Sequence, residues 1–242
     1  MNQIIDMRAD AIMARTQNRP LATGSLKLWQ AIIFAALLCA LGMVVLVVWV
    51  NTLTAILTFI SMVGYGVIYT VFLKPATPQN IVIGGAAGAA PPLLGWVAMT
   101  NVITPEGCLL FLIIFAWTPP HFWALALYRR EEYAAAGVPM LPVTHGEEFT
   151  RLQILLYTYI LVAVTLLPFT IHMFGGIYLL SALYSNARFM HYVYKLYRNY
   201  SDELSRKTFF YSIKYLMYLF AVMLVDHYCW SWVLKYWYKL SF

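Results

Sequence analysis

Hydrophobic side chains run along this chain in long unbroken stretches, and the polar ones gather in the gaps between them. Seven stretches are of spanning length, over residues 28–50, 52–73, 80–99, 107–128, 152–172, 175–194 and 209–230. A hydrocarbon layer about 30 Å thick takes about 20 helical residues, so each stretch predicts a transmembrane helix. The gaps then report direction. Arg8, Arg15, Arg19 and Lys27 precede the first stretch, Lys74 follows the second, Arg129, Arg130 and Arg151 follow the fourth, and Lys195, Arg198, Arg206 and Lys207 follow the sixth. The turns near Asn51 and His172 carry no charged residue, and the one at 100–106 has only Glu106. Basic residues in every second connection put those connections and the N-terminus on the cytoplasmic side, with the C-terminus outside. Lys235 and Lys239 break the alternation, in a tail short enough for them to snorkel to the interface.

Composition agrees with this picture. The chain has 242 residues, 62% hydrophobic and 11% charged, against about 25% charged in a soluble domain. The fold class expected is therefore all-α, a polytopic membrane bundle of one domain over residues 1–242 in contact with the lipid bilayer. The net charge of +6 follows the topology, and no nucleic-acid partner is expected. Cys39, Cys108 and Cys229 lie far apart in apolar sequence, with neither metal-ligand spacing nor disulfide arithmetic, and read as small hydrophobes. Tyrosines and tryptophans crowd the last two stretches and the tail (Tyr192, Tyr194, Tyr197, Tyr200, Tyr228, Trp230, Trp232), as interfacial belts do. Gly84, Gly85 and Gly88 before Pro91 and Pro92 predict close helix packing and a bend.

The densest patch of acid and base is the beginning of the chain. Read as a helix, Asn2, Asp6 and Asp10 fall at steps of four, which stacks three oxygen-bearing side chains on one face. At about 1.5 Å per residue the outer two lie about 12 Å apart, too far to share one ion directly. A hard divalent cation such as Mg²⁺, or two bridged by an anionic ligand, suits such a set. Arg15 and Arg19 continue at the same step and offer forked donors to phosphate. Acid for a metal beside arginine for an anion suggests a diphosphate site. Lys74 can reach an anion too, or simply mark the inner side. After the fourth stretch, Glu131 and Glu132 beside Arg129 and Arg130 read either as a solvated, self-neutralising cluster or as a second metal site facing the first. His121, inside an apolar stretch after Pro119 and Pro120, is a functional candidate or a histidine bonded to a neighbouring helix. Asp226 reads as a cap or a local partner.

At these residues the sequence resembles the haem O synthases (protohaem IX farnesyltransferases) of the intramembrane aromatic prenyltransferase superfamily. The likeness rests on Asn2-x3-Asp6-x3-Asp10-x2-Met13-x-Arg15-Thr16-x2-Arg19-Pro20, and on Lys74-Pro-x-Thr77-Pro78 leading to Gly84-Gly85 and Pro91-Pro92. It continues through Trp117-x-Pro119-Pro120-His121-Phe122-Trp123, Glu132-Tyr133-x3-Gly137-x-Pro139-Met140-Leu141-Pro142, and Phe210-x-Ser212-x2-Tyr215 with Asp226. The resemblance implies a helical barrel around a lipid-open cavity, farnesyl diphosphate and haem B as substrates, and haem O and diphosphate as products. Under it Asp6 and Asp10 are catalytic and hold Mg²⁺ with Asn2. Arg15, Arg19, Lys74 and Arg129 bind diphosphate, Glu131 and Glu132 stand where many relatives have a second aspartate pair, and His121 lies on the haem side, as an iron ligand or near one. Haem B enters as substrate rather than cofactor, and a downstream haem A synthase or terminal oxidase is the partner implied. The family's first one or two spans would precede Asn2, which reads as an N-terminal truncation. The alternatives are prenyl transfer to a quinone precursor, against which the His121 signature stands, and an inactive truncated membrane protein. No cleavable signal or transit sequence precedes the first motif, which points to a bacterial inner membrane, with a mitochondrial inner membrane as the alternative.

Overall fold

The computed structural model describes residues 16–73 and 77–240. Among them there is no strand, and each of the seven apolar stretches is helical. Helix α1 spans Leu28–Val45 and runs into a wider π turn over Leu46–Val50; α2 spans Thr52–Val63 and widens in the same way over Gly64–Leu73. Then come α3 (Asn80–Thr100), α4 (Pro105–Tyr128), the short α5 (Arg130–Ala135) and α6 (Leu141–Thr144), α7 (Gly146–Thr170), α8 (Gly176–Arg198) and α9 (Asp202–Leu240). Five described helices are long and apolar enough to cross a membrane: Leu28–Val50, α3, α4, α7 and Asp202–Cys229 of α9. This is a multi-pass membrane protein.

The sequence expectation differs from the structure at three helices. The stretch 52–73 is helical, but its regular α-helix is short, ending where Gly64 and Gly66 fall and the wider turns begin. The stretch 175–194 is long enough at Gly176–Arg198, yet Ser185, Asn186 and Arg188 make it more polar than the others. The last helix begins at Asp202 instead of 209, because its charged first turns do not interrupt backbone hydrogen bonding.

The chain divides into two compact units, residues 1–107 with 129–144, and residues 108–128 with 145–242. In the first, the uncharged turn at Asn51 is held by one side chain. Its Oδ1 accepts from the Thr54 amide at 2.8 Å, capping α2, while its Nδ2 donates to the carbonyls of Val97 and Ala98 at the end of α3. Helix α3 stops there because Asn101 takes the left-handed conformation (φ 56°), which asparagine tolerates. Its Gly84 makes room for a ring from the wider turns that follow α2: a Cβ there would run into the Tyr69 side chain, whereas one at Gly88 would meet open space.

The second unit packs α4 (from Cys108), α7, α8 and α9. Its core holds Ile113, Leu127, Ile154, Leu161, Phe189 and Leu219, all fully buried. Buried polar side chains tie the helices: the Asn186 amide donates to Thr165 Oγ1 at 2.9 Å, the Tyr215 hydroxyl donates to Asn186 Oδ1 at 2.7 Å, and the Tyr178 hydroxyl donates to the Thr165 carbonyl at 2.6 Å. Asp226, buried on α9, accepts from the amides of Gly175 (2.6 Å) and Tyr178 (2.9 Å). It caps α8 from the neighbouring helix, as the sequence suggested.

Candidate functional site

Pro119 and Pro120 have no amide hydrogen, so the carbonyls one turn earlier in α4 lose their usual donors and the helix is open to distortion there. His121 follows directly and is 7% exposed. Its ring lies between two others, stacked on Trp117 from its own helix at 4.1 Å and on Phe209 from α9 at 4.6 Å. Nδ1 is 2.6 Å from the Ser212 hydroxyl, and the Trp117 indole donates to the Ser212 carbonyl at 2.9 Å.

These contacts fix the tautomer. The Ser212 hydroxyl has one proton, and Oγ also lies 2.6 Å from the Phe209 carbonyl, which can only accept. The proton therefore goes to Phe209, Nδ1–H donates to Ser212 Oγ, and Nε2 keeps its lone pair. Nε2 makes no hydrogen bond among the described residues. Of the two readings open for His121, a bond to a neighbouring helix and a functional group, the structure supplies the first through Nδ1 and leaves Nε2 for the second. Two residues on, Trp123 is 1% exposed, edge-on to Tyr157, and its indole N–H is buried without an acceptor among the described residues.

The connection after α4 is more ordered than a polar loop. Gly137 (φ 66°) closes α5 with the paired bonds of a Schellman turn, Val138 N to Tyr133 O at 3.0 Å and Gly137 N to Ala134 O at 3.1 Å. Met140, Leu141 and Pro142 are buried at the beginning of α6. Arg129 Nη1 lies 3.7 Å from Glu132 Oε2, an exposed pairing of the self-neutralising kind. Glu131 is exposed.

At the other end of the described chain, Arg19 is half-buried in a run of turns between Thr16 and Leu21, both buried. Its amide donates to Thr16 O and its carbonyl accepts from Thr23 N. The helical step drawn from Arg15 to Arg19 is corrected here: Pro20 follows, and residues 16–25 turn instead of continuing a helix. Asn2, Asp6, Asp10, Arg15 and Lys74 lie outside the described residues. Among those described, no three His, Cys, Asp or Glu side chains gather where they could hold a metal ion. Sequence reasoning singled out His121 but not its setting. Ser212 stands in the signature Phe210-x-Ser212-x2-Tyr215, but it and Phe209 come from a distant helix, and nothing in their spacing ties them to His121.

Comparison with known proteins places this arrangement. The family described as "UbiA prenyltransferase family" matches residues 1–236. The chain is 62% identical over 227 residues to the protoheme IX farnesyltransferase of Leptothrix cholodnii, covering 94% of this chain and 74% of that protein. Among solved structures, one of digeranylgeranylglyceryl phosphate synthase superposes with a TM-score of 0.79 at 23% identity, covering 93% of this chain and 78% of that one. A UbiA homolog from Archaeoglobus fulgidus, bound to DMAPP and Mg²⁺, gives 0.55 at 17% identity, covering 93% and 81%. At such identities the structural likeness establishes the fold.

Proposed function

Because the chain belongs to the UbiA prenyltransferase family, we propose that it transfers a farnesyl group from farnesyl diphosphate to a vinyl group of haem B, making haem O and releasing diphosphate. The observation that carries this reading is the high identity, over nearly the whole chain, to a relative named for that reaction. The chemistry balances. The allylic C–O bond breaks with its electron pair leaving on diphosphate, the vinyl π pair forms the new C–C bond, and water captures the resulting cation and loses a proton. Ionisation separates charge, which is unfavourable in an apolar cavity unless fixed cations receive the leaving group. Arg15, Arg19, Lys74 and Arg129 are proposed for that role. Mg²⁺, proposed to be held by Asn2, Asp6 and Asp10, supplies further positive charge to the diphosphate when bound. Glu131 and Glu132 are the acids proposed opposite them.

His121 serves the haem side of this proposal. A neutral imidazole with Nδ1–H bound to a neighbour and Nε2 free is the form that ligates iron. The aromatic rings around it suit a porphyrin plane and keep water from the allylic cation. The alternation of basic residues supports a cytoplasmic-side site in a bacterial inner membrane. The test is extraction of haem, followed by mass spectrometry, from a host that makes haem B but no haem O and expresses this gene. Haem heavier by one farnesyl group and one hydroxyl group is the expected product. Unchanged haem B, with the protein inserted in the membrane, would overturn the proposal.

A further inference from the structure

We propose that the His121 site selects the ferrous form of its haem, and that the neutral hydroxyl of Ser212 sets this preference. The inference rests on the reading of His121 as the haem-side residue and carries it to the oxidation state of the substrate. The group behind an axial imidazole governs how much electron density the ring gives to iron. A carboxylate accepting from Nδ1–H draws the ring towards imidazolate, a stronger donor that favours ferric iron; a neutral acceptor does so far less. Here the acceptor is Ser212 Oγ, 2.6 Å from Nδ1, and its own hydrogen bond runs to the Phe209 carbonyl at 2.6 Å. The chain of bonds ends on a neutral backbone group, so no negative charge stands behind the ring.

The surroundings act in the same direction. Trp117, Phe122 and Phe209 make the ring contacts of His121, and none is charged. Residues 107–128 of α4 contain no Asp or Glu, and neither do residues 204–225 of α9. The nearest acids along α9, Glu203 and Asp226, lie about 13 and 21 Å from Ser212 at about 1.5 Å per residue. Glu203 is engaged by Lys207, and Asp226 caps α8. The charged side chains of α9 between those acids, Arg206, Lys207 and Lys214, are all cations.

Ferric iron leaves a positive charge on the porphyrin core that ferrous iron does not, and a buried charge without a partner is unfavourable. The two propionates are common to both forms and do not discriminate between them. The chemistry makes the same choice. Once the vinyl pair has attacked the allylic carbon, a cation stands on the carbon attached to the macrocycle. A neutral ferrous core bears that cation, whereas a ferric core repels it at short range in an apolar medium. The form held better is thus the form that reacts.

The test is a spectroelectrochemical titration of the purified protein loaded with haem B, without farnesyl diphosphate, beside Soret titrations with dithionite-reduced and with ferric haem. Ferrous haem should bind about tenfold more tightly, which puts the midpoint of the bound haem about 59 mV above that of the same haem in detergent alone. Ser212→Asp sets a carboxylate behind Nδ1–H and should abolish the preference while ferric haem still binds; Ser212→Thr should keep it. A purely structural role for Ser212 would not move the potential. Equal affinity for the two forms, a ferric preference, or a midpoint unchanged in S212D would overturn the proposal. Should S212D fail to insert, the comparison of the two haem forms on the unaltered protein decides alone. Haem O made by a protein that binds both forms equally would sink this inference and leave the proposed reaction standing. A ferrous preference without haem O would do the reverse.

Discussion

His121 is conspicuous in the sequence because an imidazole in an apolar stretch needs a partner, and the structure supplies one through a single atom. The Ser212 hydroxyl accepts a hydrogen bond from Nδ1–H, donates one to the Phe209 carbonyl and so decides which nitrogen keeps its lone pair. Under the proposed reaction, Ser212 is a positioning residue whose loss leaves a buried donor unmet. Ser212→Ala should weaken haem binding by roughly tenfold, the effect of about 1.4 kcal/mol, with farnesyl diphosphate affinity unchanged. Ser212→Thr, which keeps the hydroxyl, should restore most of it. Haem titration followed by Soret absorption, set against diphosphate binding, decides the matter; equal loss of both ligands would make the contact merely structural. The histidine was legible because its chemistry is local. Its tautomer was not, because that depends on a serine 91 residues away.

At the scale of elements, two contacts carry sharp expectations. Gly84 is where α3 comes closest to Tyr69, and an added methyl has to displace an aromatic ring. Gly84→Ala should therefore destabilise the protein by about 1–3 kcal/mol. Combining it with Tyr69→Ala should cost less than the sum of the two changes, as measured by thermal unfolding in detergent. Strict additivity would deny the contact. Asp226 offers two acceptors to two amides at the beginning of α8. Asparagine would set an amide donor against one of those N–H groups, so Asp226→Asn should lose about as much stability as Asp226→Ala, roughly 2–3 kcal/mol. A melting temperature unchanged in either variant would remove the cap from the account. The cap was readable as a kind of contact, since an aspartate at that depth needs donors. Which helix provides them depends on how α8 and α9 pack, and spacing within one helix does not report that.

For the molecule as a whole, the alternation of apolar runs with basic connections was enough to place the helices. It was less informative wherever hydropathy and helicity part company. Helix α8 hides Ser185 and Asn186 among α7 and α9, so these two are buried instead of lipid-facing. Helix α9 carries its charged first turns as continuous helix, because charge alone does not break a backbone. The acid-rich opening, from which the diphosphate proposal starts, lies outside the described residues, as does Lys74. The part of the proposed site given by geometry is thus the histidine side.

The cap on α8 also bears on how the chain is made. Residue 175 leaves the ribosome well before residue 226, and until the later residue arrives the first turn of α8 has amides with no acceptor. Within lipid such amides are unfavourable. Helices α8 and α9 are accordingly suited to enter the bilayer as one hairpin, with an aspartate of α9 completing the first turn of α8. Biogenesis of this region is then a concerted step, and a ribosome stalled between Arg198 and Asp226 should leave α8 at the translocon.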